Sequence, residues 1–113
     1  MSAHVDAQSA LMEEVKRLDA VRAALRRSEP QGALGALDRY DTDFARGELA
    51  LEAAVLRVQA LRDSGAIAAA TRLARRTLAE PGSERYRAKL EQLVPFASLA
   101  GSFTRRRDIG EAR

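Results

Sequence analysis

The chain of 113 residues has no cysteine, no tryptophan and a single histidine, and aromatic residues make up only 4% of it. Without cysteine it can form neither disulfides nor thiolate metal sites. β-Branched residues are few and never alternate with polar ones, which argues against β-strands. No apolar run reaches the roughly 18 residues that span a bilayer, and the first residues lack the basic start and apolar centre of a secretory signal. An all-α chain without a membrane span is predicted.

Alanine and leucine at helical spacing dominate what is present. Alanine favours helices and lets them approach closely. The spacing predicts five helices, at about 9–28, 31–45, 48–64, 66–79 and 83–94. The third is apolar around most of its circumference, so we expect it at the centre. The expected boundary signals are an N-cap at Ser9, a stop at Pro30, left-handed or turn glycines at Gly47 and Gly65, and an N-cap at Ser83.

The formal charge of +3 is concentrated near the end of the chain, where Ser102–Arg113 hold four arginines and two acidic residues. The remainder is close to neutral, which argues against nucleic-acid binding. We expect a flexible N-terminus at 1–8, a helical domain at 9–94 and a basic tail at 95–113. In the tail, the spacing of Phe96, Leu99 and Phe103 fits either a turn packed on the fifth helix or a weak membrane contact.

Two short stretches of the sequence resemble each other. Gly32-Ala33-Leu34 aligns with Gly65-Ala66-Ile67 at an offset of 33 residues, close to the ~34 residues of tetratricopeptide repeats. The period predicts a short right-handed stack of antiparallel helical hairpins, with two repeats followed by a capping helix.

The strings "ALGALDRYDTDF", "GELALEAAVLRVQAL" and "SGAIAAATRLARRTLAEPGS" carry a family resemblance. Over Leu18–Leu93 the chain resembles divergent tetratricopeptide-like repeats, including those of outer-membrane assembly lipoproteins and the C-terminal helical tails of myxobacterial-type proteins. The matching positions are Tyr40, Phe44, Gly47, Leu49, Glu52, Gly65 and Pro81, whereas Ala45 stands where many members have proline. The resemblance implies a scaffold protein from a Gram-negative bacterium. Taken by itself, the sequence predicts a cytoplasmic protein. If the chain is part of a larger, membrane-anchored protein, we expect it to be periplasmic.

Residues that could carry catalysis are sparse. His4 lies in the expected flexible terminus. The pairs Glu13-Glu14 and Asp41/Asp43 fit solvated or capping roles, because adjacent acids point to different sides of a helix. No glycine-rich phosphate loop follows a strand. We therefore predict no catalytic residue, no cofactor, no metal and no enzymatic activity.

The predicted function is a protein–protein interaction or scaffold module that binds another protein or a peptide segment. The inner faces of helices one and three predict a partner-binding surface of Arg22, Arg26, Val55, Gln59 and Arg62, flanked by Asp19 and Glu52. In this hypothesis the second and fourth helices turn Asp38 and Thr71 outward. Two alternatives stay open. Either these are ordinary solvated side chains with Val55 packed in the core, or the chain is a structural homo-oligomerisation domain in which a second copy supplies the missing repeat.

Overall fold

Helices account for all the regular structure in the part of the chain that the computed structural model describes, residues 3–94, with side-chain exposure described from residue 8. The elements are α1 (Ala3–Arg26), α2 (Pro30–Asp43), α3 (Ala50–Asp63), α4 (Ile67–Leu78), one 3₁₀ turn (Ser83–Tyr86) and α5 (Arg87–Leu93). This confirms the predicted all-α fold of about five helices. The predictions for the tail, including Phe96, Leu99 and Phe103, lie outside the described residues.

Two helical hairpins form the body of the fold. α1 packs against α2 and α3 packs against α4, and three residues connect the helices of each pair. Connections this short make each pair antiparallel. Helix α3 also contacts α1, α2 and α5, so it occupies the central position that its apolar circumference predicted.

The two hairpins turn by the same hydrogen-bonding pattern. At the end of α1, the amide of Glu29 donates to the carbonyl of Ala24 (2.9 Å), and that of Ser28 donates to Leu25 (3.0 Å). At the end of α3, the amides of Ala66 and Gly65 donate in the same way. This is the Schellman ending, which needs a left-handed residue just past the helix. That residue is Ser28 (φ 61°) in one turn and Gly65 (φ 91°) in the other.

These turns correct the predicted offset between the hairpins. Ser28 is equivalent to Gly65, an offset of 37 residues rather than 33, and Gly32 lies inside α2 instead of in a turn. Burial agrees with the new offset. It pairs buried residues at five places, namely Leu18 with Val55, Val21 with Val58, Ala33 with Ala70, Leu37 with Ala74 and Tyr40 with Thr77. The tetratricopeptide-like family and the handedness of the stack stay predictions.

Three of the predicted boundary residues have other roles in the structure. Helix α1 begins at Ala3, six residues before Ser9, so Ser9 is not its N-cap. Pro30 is the first residue of α2, where its missing N–H has no helical partner to lose. Ser83 does not cap α5 but begins the 3₁₀ turn, and its buried hydroxyl donates a hydrogen bond to the Leu78 carbonyl (3.0 Å).

Helix α3 separates two apolar clusters. The first lies between the hairpins and takes Ala53, Leu56 and Ala60 from α3. The second lies under α4 and α5 and takes Val55 and Val58. Opposite sides of one helix therefore complete both cores, which is why its sequence is apolar nearly all round.

Candidate partner-binding groove

An open groove of about 420 Å³ runs between α1, α3 and the segment that contains the 3₁₀ turn and α5. We call it the α1–α3–α5 groove. Its lining consists of Arg22, Leu25, Arg26, Glu52, Val55, Leu56, Gln59, Tyr86 and Lys89. The residues from α1 recur every three or four positions, as do those from α3, so each helix presents one face to the groove.

The structure brings together four of the five residues predicted to bind a partner. Arg22 and Arg26 of α1 and Val55 and Gln59 of α3 all line the groove. Arg62 does not line it. Its guanidinium donates to the neighbouring Asp63 carboxylate through Nε (3.0 Å) and Nη2 (2.7 Å). That these residues bind a partner stays a prediction.

Val55 is a core residue as well as a groove residue. Only 5% of it is exposed, and it packs in the second apolar cluster with Val58 and Ala70. Of the two roles considered for Val55, the structure therefore favours core packing. The apolar lining is completed by Leu25 and Leu56, which are also buried, and by the half-buried ring of Tyr86.

The charged residues of the groove differ in their partners. Arg22 binds Asp19 through Nη1 (2.8 Å) and Glu52 through Nη2. Its charge and that of Glu52 therefore offset each other across the α1–α3 boundary. Arg26 and Lys89 form no ion pair within residues 8–94, so they supply the net positive charge of the groove.

Sequence reasoning missed the wall formed by Tyr86 and Lys89. The spacing of Tyr86 with Leu90 and Leu93 is typical of core residues, and Tyr86 does pack beside the second cluster. The guanidinium of Arg85 lies 5.0 Å from the centre of its ring, a cation–π contact that helps to fix the ring. The spacing of three residues between Tyr86 and Lys89 is the signal that could have placed both on one face.

The carboxylates of α2 have partners of their own. Asp38 is exposed, as expected, and together with Asp41 it binds the guanidinium of Arg57 on α3, at 3.0 and 2.8 Å. The outward position predicted for Thr71 is wrong. Thr71 is only 6% exposed, and its hydroxyl donates to the carbonyl of Ile67 (2.9 Å) because this side of α4 faces the core.

A second polar cluster lies between the hairpins, around Glu14. The residue is only 4% exposed, whereas Glu13 is exposed and pairs with Arg17. The Glu14 carboxylate accepts hydrogen bonds from the Tyr40 hydroxyl (2.8 Å) and from the amides of Glu48 (3.3 Å) and Leu49 (3.1 Å). Glu14 therefore caps the start of α3, where the helix dipole favours a negative charge.

Tyr40 and Gly47 are adapted to this carboxylate. Burial raises the pKa of the Tyr40 hydroxyl above its usual value, and the hydrogen bond to Glu14 raises the pKa further. Gly47 does not have the left-handed conformation predicted for it. Instead, a β-carbon at Gly47 would clash with Glu14 Oε1 and would lie 2.7 Å from the Tyr40 hydroxyl. The cluster joins the hairpins, and we assign it a structural role.

Within residues 3–94 no three side chains of histidine, aspartate and glutamate are placed to hold a metal ion. None of the helices described here is long and apolar enough to cross a membrane.

Comparisons of the chain with protein-family models, with curated proteins and with solved structures found no match. The functional assignment therefore rests on the geometry and charge of the α1–α3–α5 groove.

Proposed function

We propose that the chain is a non-catalytic protein–protein interaction module that holds a segment of another protein in the α1–α3–α5 groove. The observation that supports this proposal is the groove itself, which combines an apolar lining with two cations that have no partner in residues 8–94. The tetratricopeptide-like resemblance points the same way, and suggests the helical tail of a larger envelope or regulatory protein.

The chemistry of the lining suits a protein segment. Protein interfaces are enriched in tyrosine and arginine around an apolar centre with a polar rim. The groove contains that combination in Tyr86, Arg26 and the two leucines Leu25 and Leu56. Its open side leaves room for a chain to enter and leave.

Filling the groove tests the proposal. Gln59 lines it, whereas Gln31 is an exposed residue at the start of α2, outside it. Peptides selected from a random display library against the unchanged chain should lose at least about tenfold in affinity for Gln59→Trp. The matched change Gln31→Trp should leave their affinity unchanged. Selected peptides that bind all three proteins equally would show that the groove is not the binding site.

A structural homo-oligomerisation domain is the second candidate. Three of the large apolar residues that are exposed in residues 8–94 lie close together on α1, namely Leu11 (39% exposed), Met12 (64%) and Val15 (41%). A second copy that covered them would remove this apolar surface from water. Sedimentation velocity at micromolar concentration should then show a dimer that Met12→Glu dissociates. A monomer at all concentrations would exclude this candidate.

A further inference from the structure

We infer that the partner segment is acidic, with carboxylates on both sides of one apolar side chain that enters the groove. This inference rests on the proposed function, since it names the chemistry of the partner at the same site. Arg26 on α1 and Lys89 on α5 belong to different helices that border the apolar lining. A ligand that satisfies both must place negative charge at two points.

The internal ion pair of the groove sharpens this assignment. Arg22 is already held by Asp19 and Glu52, so a partner carboxylate would have to compete with two existing ones. Arg26 and Lys89 carry no such competitor in the described part of the chain. Arg26 can bind a carboxylate with two parallel N–H groups, whereas Lys89 acts as a compact point charge. These two residues, rather than Arg22, select the charge of the partner.

The lining between these cations accounts for the apolar side chain. Leu25, Leu56 and the ring of Tyr86 offer an apolar surface in the groove. A charged or amide group placed against the two leucines would lose its hydration without receiving a hydrogen bond from them. An aliphatic or aromatic side chain fits the surface at no such cost.

Charge argues against one other occupant. The final residues Ser102–Arg113 contain four arginines and two acidic residues, so Arg26 and Lys89 would repel that segment. An acidic segment of a different protein does not meet this obstacle.

The test is a selection from a random peptide library, followed by measurement of the binders with charge-reversal variants. The selected peptides should be enriched in aspartate and glutamate around a leucine, methionine or phenylalanine. Affinity, measured by fluorescence anisotropy, should fall at least about tenfold in the double variant R26E/K89E, because two attractions become repulsions. The matched control R72E/R76E makes the same change of charge at two exposed positions of α4 outside the groove, and should bind as the unchanged chain does.

Salt dependence gives a second measurement. Binding through two ion pairs should weaken as ionic strength rises, whereas purely apolar docking should not. Peptides without acidic enrichment that still lose affinity for Gln59→Trp would overturn the inference and leave the proposed function intact. If no selected peptide is sensitive to Gln59→Trp, both fail. Concentration-dependent self-association abolished by R26E/K89E would identify the occupant as a second copy and would also overturn the inference.

Discussion

Replacing Gly47 with alanine should destabilise the fold far more than the loss of a glycine normally does. The new β-carbon would clash with Glu14 Oε1 and would lie only 2.7 Å from the Tyr40 hydroxyl and 2.8 Å from Glu14 Cδ. These distances are shorter than carbon and oxygen atoms tolerate, so the carboxylate must move. It then loses part of a network of three hydrogen bonds while it stays buried. Each hydrogen bond to a charged group contributes about 1.5–3 kcal/mol, so we expect Gly47→Ala to cost about 2–4 kcal/mol.

The chain supplies a control with the opposite sign. Gly35 lies within α2, and the nearest atom to a β-carbon there is the end of the Arg39 side chain at 3.9 Å. Gly35→Ala should therefore raise the free energy of unfolding by roughly 0.5–1 kcal/mol, as in other helix interiors. Urea denaturation followed by circular dichroism measures both changes on one scale.

A double-mutant cycle identifies the cause. If the clash with Glu14 is responsible, Gly47→Ala should cost less in a Glu14→Ala background, because only the 2.7 Å approach to the Tyr40 hydroxyl then remains. Equal costs of Gly47→Ala with and without Glu14 would refute the reasoning. So would a Gly47→Ala protein as stable as Gly35→Ala.

Three further predictions concern the turn, the core and the alkaline limit. Gly65→Val should cost about 1–3 kcal/mol by thermal or urea denaturation, because the open space around Gly65 does not relieve its positive φ. Leu56→Ala should lower the free energy of unfolding by roughly 2–5 kcal/mol. Leu11→Ala, at an exposed position of α1, should lower it by under about 1 kcal/mol; equal losses of stability would show that the core is misplaced. Because the pKa of Tyr40 is raised in the folded chain, the unfolded chain ionises first, near pH 10. Stability should therefore fall as pH rises above about 10, and more steeply than in Tyr40→Phe; equal slopes would contradict this.

The fold was largely predictable because its signals are local. Apolar residues at helical spacing predicted the five helices, and the unusual circumference of α3 predicted its central place. Gly65 was predicted to hold a turn, and its positive φ confirms it. Each of these signals lies within the segment it describes.

The offset between the hairpins was wrong for a physical reason. The alignment of identical residues placed Gly32 opposite Gly65, because glycine is the residue that left-handed turns favour. The first turn instead places Ser28 in that conformation. No sequence signal distinguishes a serine in the left-handed conformation from a serine that caps a helix or is exposed to solvent. The alignment therefore followed the glycines.

The groove was only half predictable. The residues of α1 and α3 share faces at regular spacing, which brought Arg22, Arg26, Val55 and Gln59 into the prediction. The position of Lys89 in the groove depends on how α5 packs against α3, which spacing does not predict. Arg26 has no ion-pair partner in residues 8–94 because Glu52 pairs with Arg22 instead. Glu14 shows the same limit, because nothing in the pair Glu13-Glu14 tells which acid the start of α3 will cover.

The division of apolar residues on α3 has a consequence for cooperativity. On α3, one core takes Ala53, Leu56 and Ala60, and the other takes Val55 and Val58. Unfolding of α3 would therefore disrupt both cores at once. Many helical arrays lose their end units one at a time. In this chain α3 contributes to both cores, so we expect the described helices to unfold in a single transition. The amides of α3 should exchange with solvent only through that global opening, which makes this helix the slowest-exchanging segment of the fold.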